Sequence, residues 1–270
     1  MANQQQIISS LVSTISPYLK NALALVTGAA VWEGVKFVFP QIMKRIDDGK
    51  KARSLFDENI SPILKAADEL YGKMVSLAKE DFKVFKDRTK NDPLTVINRY
   101  YVCYLFSQFW ANIELLRVKS NYFTITQTQL GEQLLKFIET QESRSFRILD
   151  RSLQRMIGET LIEKAPAKFR VLSLNEFCVL IKSNDVHFNS LFTELENRLF
   201  NTIDKQVRQD FFVYGAIVAI LINHFDKKHK IVRYRKLYMN KLSAKSGWLI
   251  KSSLLEHYLP FVEKKKEYFK

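Results

Sequence analysis

The chain has 270 residues, 47% of them hydrophobic, and carries 42 Lys and Arg against 28 Asp and Glu, a formal charge of +14. That length and apolar content supply a core and exclude a disordered chain, while 8 glycines and 6 prolines leave few sharp turns for an all-β or Gly-rich α/β fold. The surplus of cations favours an anionic partner, whether nucleic acid, nucleotide or acidic lipid, and does not choose among the three.

At the N-terminus, Ile7, Ile8, Leu11, Val12 and Ile15 recur at helical spacing and predict a short amphipathic helix ended by Pro17. Leu19 to Phe39 is dominated by apolar residues, carries no charge from Ala22 to Trp32, and closes at Pro40. It meets the length of about 20 residues needed to cross a bilayer core. Lys20, Asn21, Glu33 and Lys36 lie towards its ends, where snorkelling eases the cost of about 2.5–3.5 kcal/mol for a central charge. Glu33 and Lys36 are one helical turn apart and can face each other. No basic region precedes the stretch, so it does not look like a cleaved signal peptide and is expected to stay attached. Lys44, Arg45, Lys50, Lys51 and Arg53 follow in a basic juxtamembrane linker over 41–54, and the positive-inside rule then puts the rest of the chain on the cytoplasmic side of an inner membrane. Ala24 with Gly28, and Ala30 with Gly34, form small-xxx-small pairs suited to close contact between copies. The expectation for 1–40 is an amphipathic helix plus a transmembrane helix. A hydrophobic helix buried in the protein is the alternative.

From 55 to 226 one helix follows another, as in a cytoplasmic helical bundle. Ser61 and Pro62 predict a helix start, followed by the stripe Ile63, Ala67, Leu70, Met74, Leu77 and Phe82 to about Arg88. Asn91, Asp92 and Pro93 close that helix and open the next. Tyr100 to Val118 reads as a central core helix, since Gln108, Asn112 and Glu114 interrupt its apolar run. Thr128 starts a helix through Ile138, another is predicted from about Ser143 to Glu163, and Ser173 with Glu176 forms a capping box. Leu191, Leu195 and Leu199 mark a further helix, and Asp204 to Phe225 holds an apolar run too short to span. Residues 227–270 read as a basic region of weaker helix and loop.

The segment from Tyr101 to Arg117, YVCYLFSQFWANIELLR, resembles the LYxxxQYFxWxEILRR signature of an uncharacterised family of bacterial all-helical proteins. Gln154, Arg155, Gly158 and Glu159 resemble that family's QRxIGE segment, and Asp204 to Asp226 its last bundle helix. The resemblance covers about 55–226, and it implies an all-α fold and a bacterial origin. It implies no activity.

Catalytic and cofactor motifs are missing: there is no phosphate-binding GxxxxGKS/T loop, no GxGxxG, GxSxG or HExxH, and the 4 histidines include no i,i+4 pair. The 2 cysteines, Cys103 and Cys178, lie in apolar helical stretches without ligand spacing, so neither a metal nor a cofactor is expected. Glu159 is a candidate base, with an ion pair to Arg155 as the plainer reading.

Two basic features stand out. Arg144, Arg147, Arg151 and Arg155, at steps of three and four, predict a guanidinium row on one side of a single helix, suited to bidentate phosphate contact or to a solvated face. Lys227, Lys228, Lys230, Arg233, Arg235, Lys236, Lys241 and Lys245 are interleaved with Tyr234 and Tyr238, a composition that fits single-stranded nucleic acid by phosphate neutralisation and base stacking. It also fits acidic headgroups or plain solubility.

The function expected from these features is a membrane-anchored oligomeric effector of the anti-phage type, not an enzyme. Its span would use Gly28, Gly34, Glu33 and Lys36 for assembly or pore lining, and an anionic nucleic-acid or nucleotide ligand would control it. The alternative is a soluble or peripheral adaptor. The expected partners are further copies of the chain, the membrane and that ligand. The layout resembles such effectors by architecture alone, which does not establish function.

Overall fold

The structure, a computed structural model, describes residues 28–118, 125–164, 169–183 and 185–269, with side chains from 49 onward except 267. The amphipathic segment 7–15 and the first part of the expected span lie outside these residues. Two compact units divide the chain, 1–51 and 52–270. The second holds the core and the candidate site.

Helix α1 runs over Gly28–Lys79, so the helix expected to begin at Ser61 starts earlier, and 41–54 is helical. Gly28, Glu33, Gly34 and Lys36 all fall within its first turns. Among the described residues no helix is long and apolar enough to cross a membrane. Pro62 does not end α1. A proline inside a helix costs about 3 kcal/mol, whereas burying one Leu or Ile gains about 1.5–3 kcal/mol. Ile60, Ile63, Leu64 and Leu70 are all buried around it.

A turn with Asp81 and Phe82 at positive φ ends α1 earlier than expected, and Phe82 enters the core against Phe211 and Phe212. Helix α2, Pro93–Val118, starts where predicted, with the Thr95 amide donating to the Asp92 carboxylate at 3.0 Å. It is the central helix, buried from Val102 to Phe106 and again around Phe109, Trp110 and Ile113. Helix α3, Gln129–Glu142, is capped by Thr128 as expected.

The predicted helix over 143–163 is not formed as such. Residues 143–150 make a turn, and α4 covers only Arg151–Thr160, capped by Asp150. The buried Gln154 explains the break, because its Oε1 accepts from the amides of Ile148 and Leu149 at 3.2 and 3.3 Å and holds the turn folded back on α4. An antiparallel pair follows that the sequence reading missed, β1 Ile162–Lys164 with β2 Phe169–Val171, Ile162 opposite Val171. Helix α5, Leu174–Lys182, begins with the predicted Ser173–Glu176 capping box. Helices α6, Val186–Phe200, and α7, Lys205–Phe225 with Asp204 as its cap, complete the bundle. The described part of the chain is mostly helical, with this one small hairpin.

A buried polar relay ties three helices together. Trp110 Nε1 donates to the Tyr214 hydroxyl at 2.8 Å, which donates to Gln141 Oε1 at 3.0 Å, joining α2, α7 and α3. The C-terminal region packs on the bundle: the Tyr71 hydroxyl donates to the Lys236 carbonyl at 2.7 Å, and the Gln209 amide donates to the Lys241 carbonyl at 2.9 Å. Helix α8, Ala244–Trp248, capped by Ser243, continues as a π-helical stretch, Leu249–Tyr258.

Gly158 sets the approach of α4 to α2. A Cβ there would stand 2.9 Å from the carbonyl carbon of Trp110 and 3.0 Å from its oxygen, contacts with backbone that cannot rotate away. Gly158→Ala gains up to about 1 kcal/mol of helix propensity, yet the enforced separation costs about 1–3 kcal/mol. Urea unfolding is expected to show a net loss, and a stabilised variant would contradict this packing.

His224 lies buried among Phe137, Phe225 and Phe261, its Nε2 2.9 Å from Gln133 Oε1. Burial, then neighbouring Lys227, pushes its imidazole down to about 4. The unfolded chain therefore takes up this proton first. Stability is whole above the ordinary histidine value and falls as pH drops towards 4, by about 2 kcal/mol at pH 4.5. His224→Gln should lose less between pH 7 and 4.5 in denaturant midpoints, and equal losses in both proteins would refute the assignment.

Candidate functional site

The arginine row divides in two. Arg151 and Arg155, on α4, turn inward to Glu142 at the end of α3: Arg151 Nε lies 2.9 Å and Arg155 Nη2 2.8 Å from Glu142 Oε2. Arg117, from the end of α2, reaches Glu142 Oε1 at 2.7 Å and also pairs with Glu114. The Glu142 side chain is 5% exposed. Burial works to raise its carboxyl, and Arg155 and Arg117 outweigh that, holding it below the usual carboxylate range. For Glu114 burial prevails over Arg117 and the carboxyl is raised. Arg151 and Arg155 thus hold the fold together, and Arg155 pairs with Glu142 rather than with the exposed Glu159.

Arg144 and Arg147 point another way. They stand on the 143–150 turn, which is pinned by Gln154, by the Phe146 and Arg147 amides donating to the Ser143 carbonyl at 3.0 and 2.9 Å, and by Phe146, whose ring meets Tyr258 edge-on at 5.1 Å. Facing the turn are Arg198 of α6, Gln206 and Asp210 of α7, and Lys245, Ser246 and Leu249 around α8. Together they line an open cleft of about 400 Å³. Arg147 pairs with Asp150 at 2.9 Å and Arg198 with Asp210 at 2.7 Å, and Gln206 Nε2 donates to the other Asp210 oxygen at 3.2 Å. The Ser152 amide and hydroxyl hold the Asp150 carboxyl below its ordinary range.

Four cations and two carboxylates therefore share the cleft. Both carboxylates are engaged, and among the described residues no acid lies within ion-pair distance of Arg144 or Lys245. Arg198 Nε is buried with no acceptor. A surplus of two positive charges beside apolar Leu249 and Val213 suits a small anion with some apolar surface.

The C-terminal basic run is less uniform than its composition suggested. Arg235 is internal: its guanidinium pairs with Asp68, and Nη2 donates to the Asp68 carbonyl at 3.0 Å. Its amide and carbonyl both bond to Asn223. Lys241 pairs with Asp81 at 2.6 Å and Lys227 with Glu263 at 2.9 Å. The Tyr238 amide donates to the Tyr71 hydroxyl at 3.0 Å and its ring is half-buried. Lys228, Lys230, Arg233 and Lys236 stay exposed, as does Tyr234, whose ring meets His229 at 5.3 Å. The backbone around them is folded by Asp226, which accepts from the amides of Lys230, Ile231 and Val232, each at 2.8 Å. The stacking ladder expected here thus keeps one of its two tyrosines and loses Arg235. The structure joins Lys245 instead to Arg144 and Arg147, one basic residue from the C-terminal run beside two from the arginine row. Arg198 and Gln206 had no local signal that marked them.

Both cysteines are free, Cys103 buried and Cys178 half-buried. Among the described residues no cluster of His, Cys, Asp and Glu is placed to hold a metal.

Because three arginines depend on Glu142, removing its charge is expected to cost about 3 kcal/mol or more in urea unfolding of Glu142→Gln, as when a buried pair loses one partner. Arg151→Ala, on the half-exposed member, should cost less than about 1 kcal/mol. Near-equal effects would mean that Glu142 is not the shared partner on which the three arginines depend.

No family model, no curated protein and no solved structure matches this chain.

Proposed function

We propose that the 52–270 body is a binding module for a small phosphate-bearing anion, and that it serves as the cytoplasmic sensing part of a membrane-anchored, oligomeric effector of bacterial defence. The observation that carries the reading is the cleft, where Arg144 and Arg147 of the 143–150 turn meet Arg198 and Lys245 with only Asp150 and Asp210 against them. Both carboxylates are tied up by arginines, which favours holding an anion over proton transfer. The membrane half of the proposal rests on the apolar stretch from Leu19 to Phe39 and the basic residues that follow it. Self-assembly rests on the small residues Gly28 and Gly34, with Glu33 and Lys36 as charges for a lined pore.

A peripheral adaptor that binds single-stranded nucleic acid is the competing reading, favoured by the exposed Lys228, Lys230, Arg233 and Tyr234. Calorimetry of the full-length protein with inorganic tripolyphosphate separates the two. Arg144→Ala combined with Lys245→Ala is expected to weaken binding about tenfold or more, since each charge-assisted contact contributes about 1.5–3 kcal/mol. Lys228→Ala with Lys230→Ala should change it less than about twofold, being outside the cleft. The reverse ranking would move the ligand to the C-terminal run. Fractionation tests the anchor: the chain should stay with membranes through a high-salt wash, and recovery in the soluble fraction at low and high salt would remove that half of the proposal.

A further inference from the structure

Trp248 is unexplained by the fold. It is 63% exposed, whereas Trp110 is buried in the core. The placement follows from α8 itself, because Ser246 and Ile250, four residues apart, are buried and turn the intervening Trp248 outward. Solvent exposure of so large an apolar ring forfeits the gain of burying it. It stands one helical turn after Lys245 and directly before Leu249, both of which line the basic cleft. Trp248 is not itself among the residues that line the cleft, but in the chain it stands near two that are.

Resting on the reading of that cleft as an anion site, we infer that its ligand is a nucleoside phosphate, with phosphates on Arg144, Arg198 and Lys245 and the base stacked on Trp248. An exposed indole beside a basic cleft offers the flat, sequence-tolerant face on which bases stack. The size agrees, since about 400 Å³ falls in the range of about 300–1,000 Å³ that small ligands occupy. A cleft of that volume takes a single nucleotide more readily than a strand.

The experiment compares the four common ribonucleoside triphosphates with inorganic tripolyphosphate on the full-length protein, using calorimetry and tryptophan emission. At least one nucleotide should bind about tenfold tighter than tripolyphosphate and quench emission. Trp248→Ala should bring that nucleotide down to the affinity of tripolyphosphate while leaving tripolyphosphate itself unchanged, and Trp248→Phe should restore most of the difference. Equal binding of nucleotides and tripolyphosphate overturns this inference and leaves the anion cleft standing. A loss of both on Trp248→Ala marks a structural role and also overturns it. So does an emission shift seen only with phosphatidylglycerol vesicles, or binding confined to long oligonucleotides. If no phosphate compound binds, the cleft reading and this inference fall together.

Discussion

The fold around the cleft depends on one buried carboxylate. Glu142 ends α3, where the helix dipole disfavours a negative charge, and it is kept there by guanidinium groups from α2 and α4. Three successive helices are thereby fixed at one point. Without its arginines, an ion this far from water would be several kcal/mol out of balance. The 143–150 turn runs from Glu142 to the first residue of α4, so both of its ends are clamped by the same group, and Gln154 holds its middle.

That clamp is what gives Arg144 and Arg147 a direction. On a continuous helix they would share a face with Arg151 and Arg155, and all four would either be solvated or compete for one acid. The turn instead sends two inward and two towards α6, α7 and α8. A basic patch on the surface contributes little to specific affinity because water and salt screen it. Convergence of side chains from separate elements is a stronger arrangement, since the repulsion between like charges is relieved when an anion enters. The C-terminal run follows the opposite course: Arg235 and Lys241 are spent on Asp68 and Asp81, which anchor the region to the bundle, and Lys227 on Glu263 within the region itself.

Helix starts were legible in the sequence at Asp92, Thr128, Ser173 and Asp204, where a short polar side chain caps its own neighbours, but not at Asp150, Asp185 and Ser243, which cap α4, α6 and α8 in the same way. The core runs of α2 and α7 were legible because their apolar content admits no other place for them. Proline was misleading at Pro62, where burial outweighs a missing hydrogen bond. The split of the arginine row could not be read, for spacing of three and four is the same whether or not Gln154 folds the chain back. The hairpin was hidden by its brevity. The acids that neutralise Arg235 and Lys241 lie some 160 residues away in sequence, beyond any local pattern, and the cleft itself exists only once Arg198 and Lys245 are brought to the turn.

The most direct test of this account is hydrogen–deuterium exchange on the full-length protein with and without a saturating nucleoside triphosphate. Amides of 144–150 and 243–249 should slow together on addition, while 228–236 keep their rates. Protection confined to 228–238, or none at either segment of the cleft, would contradict the claim that the turn and α8 form one binding site.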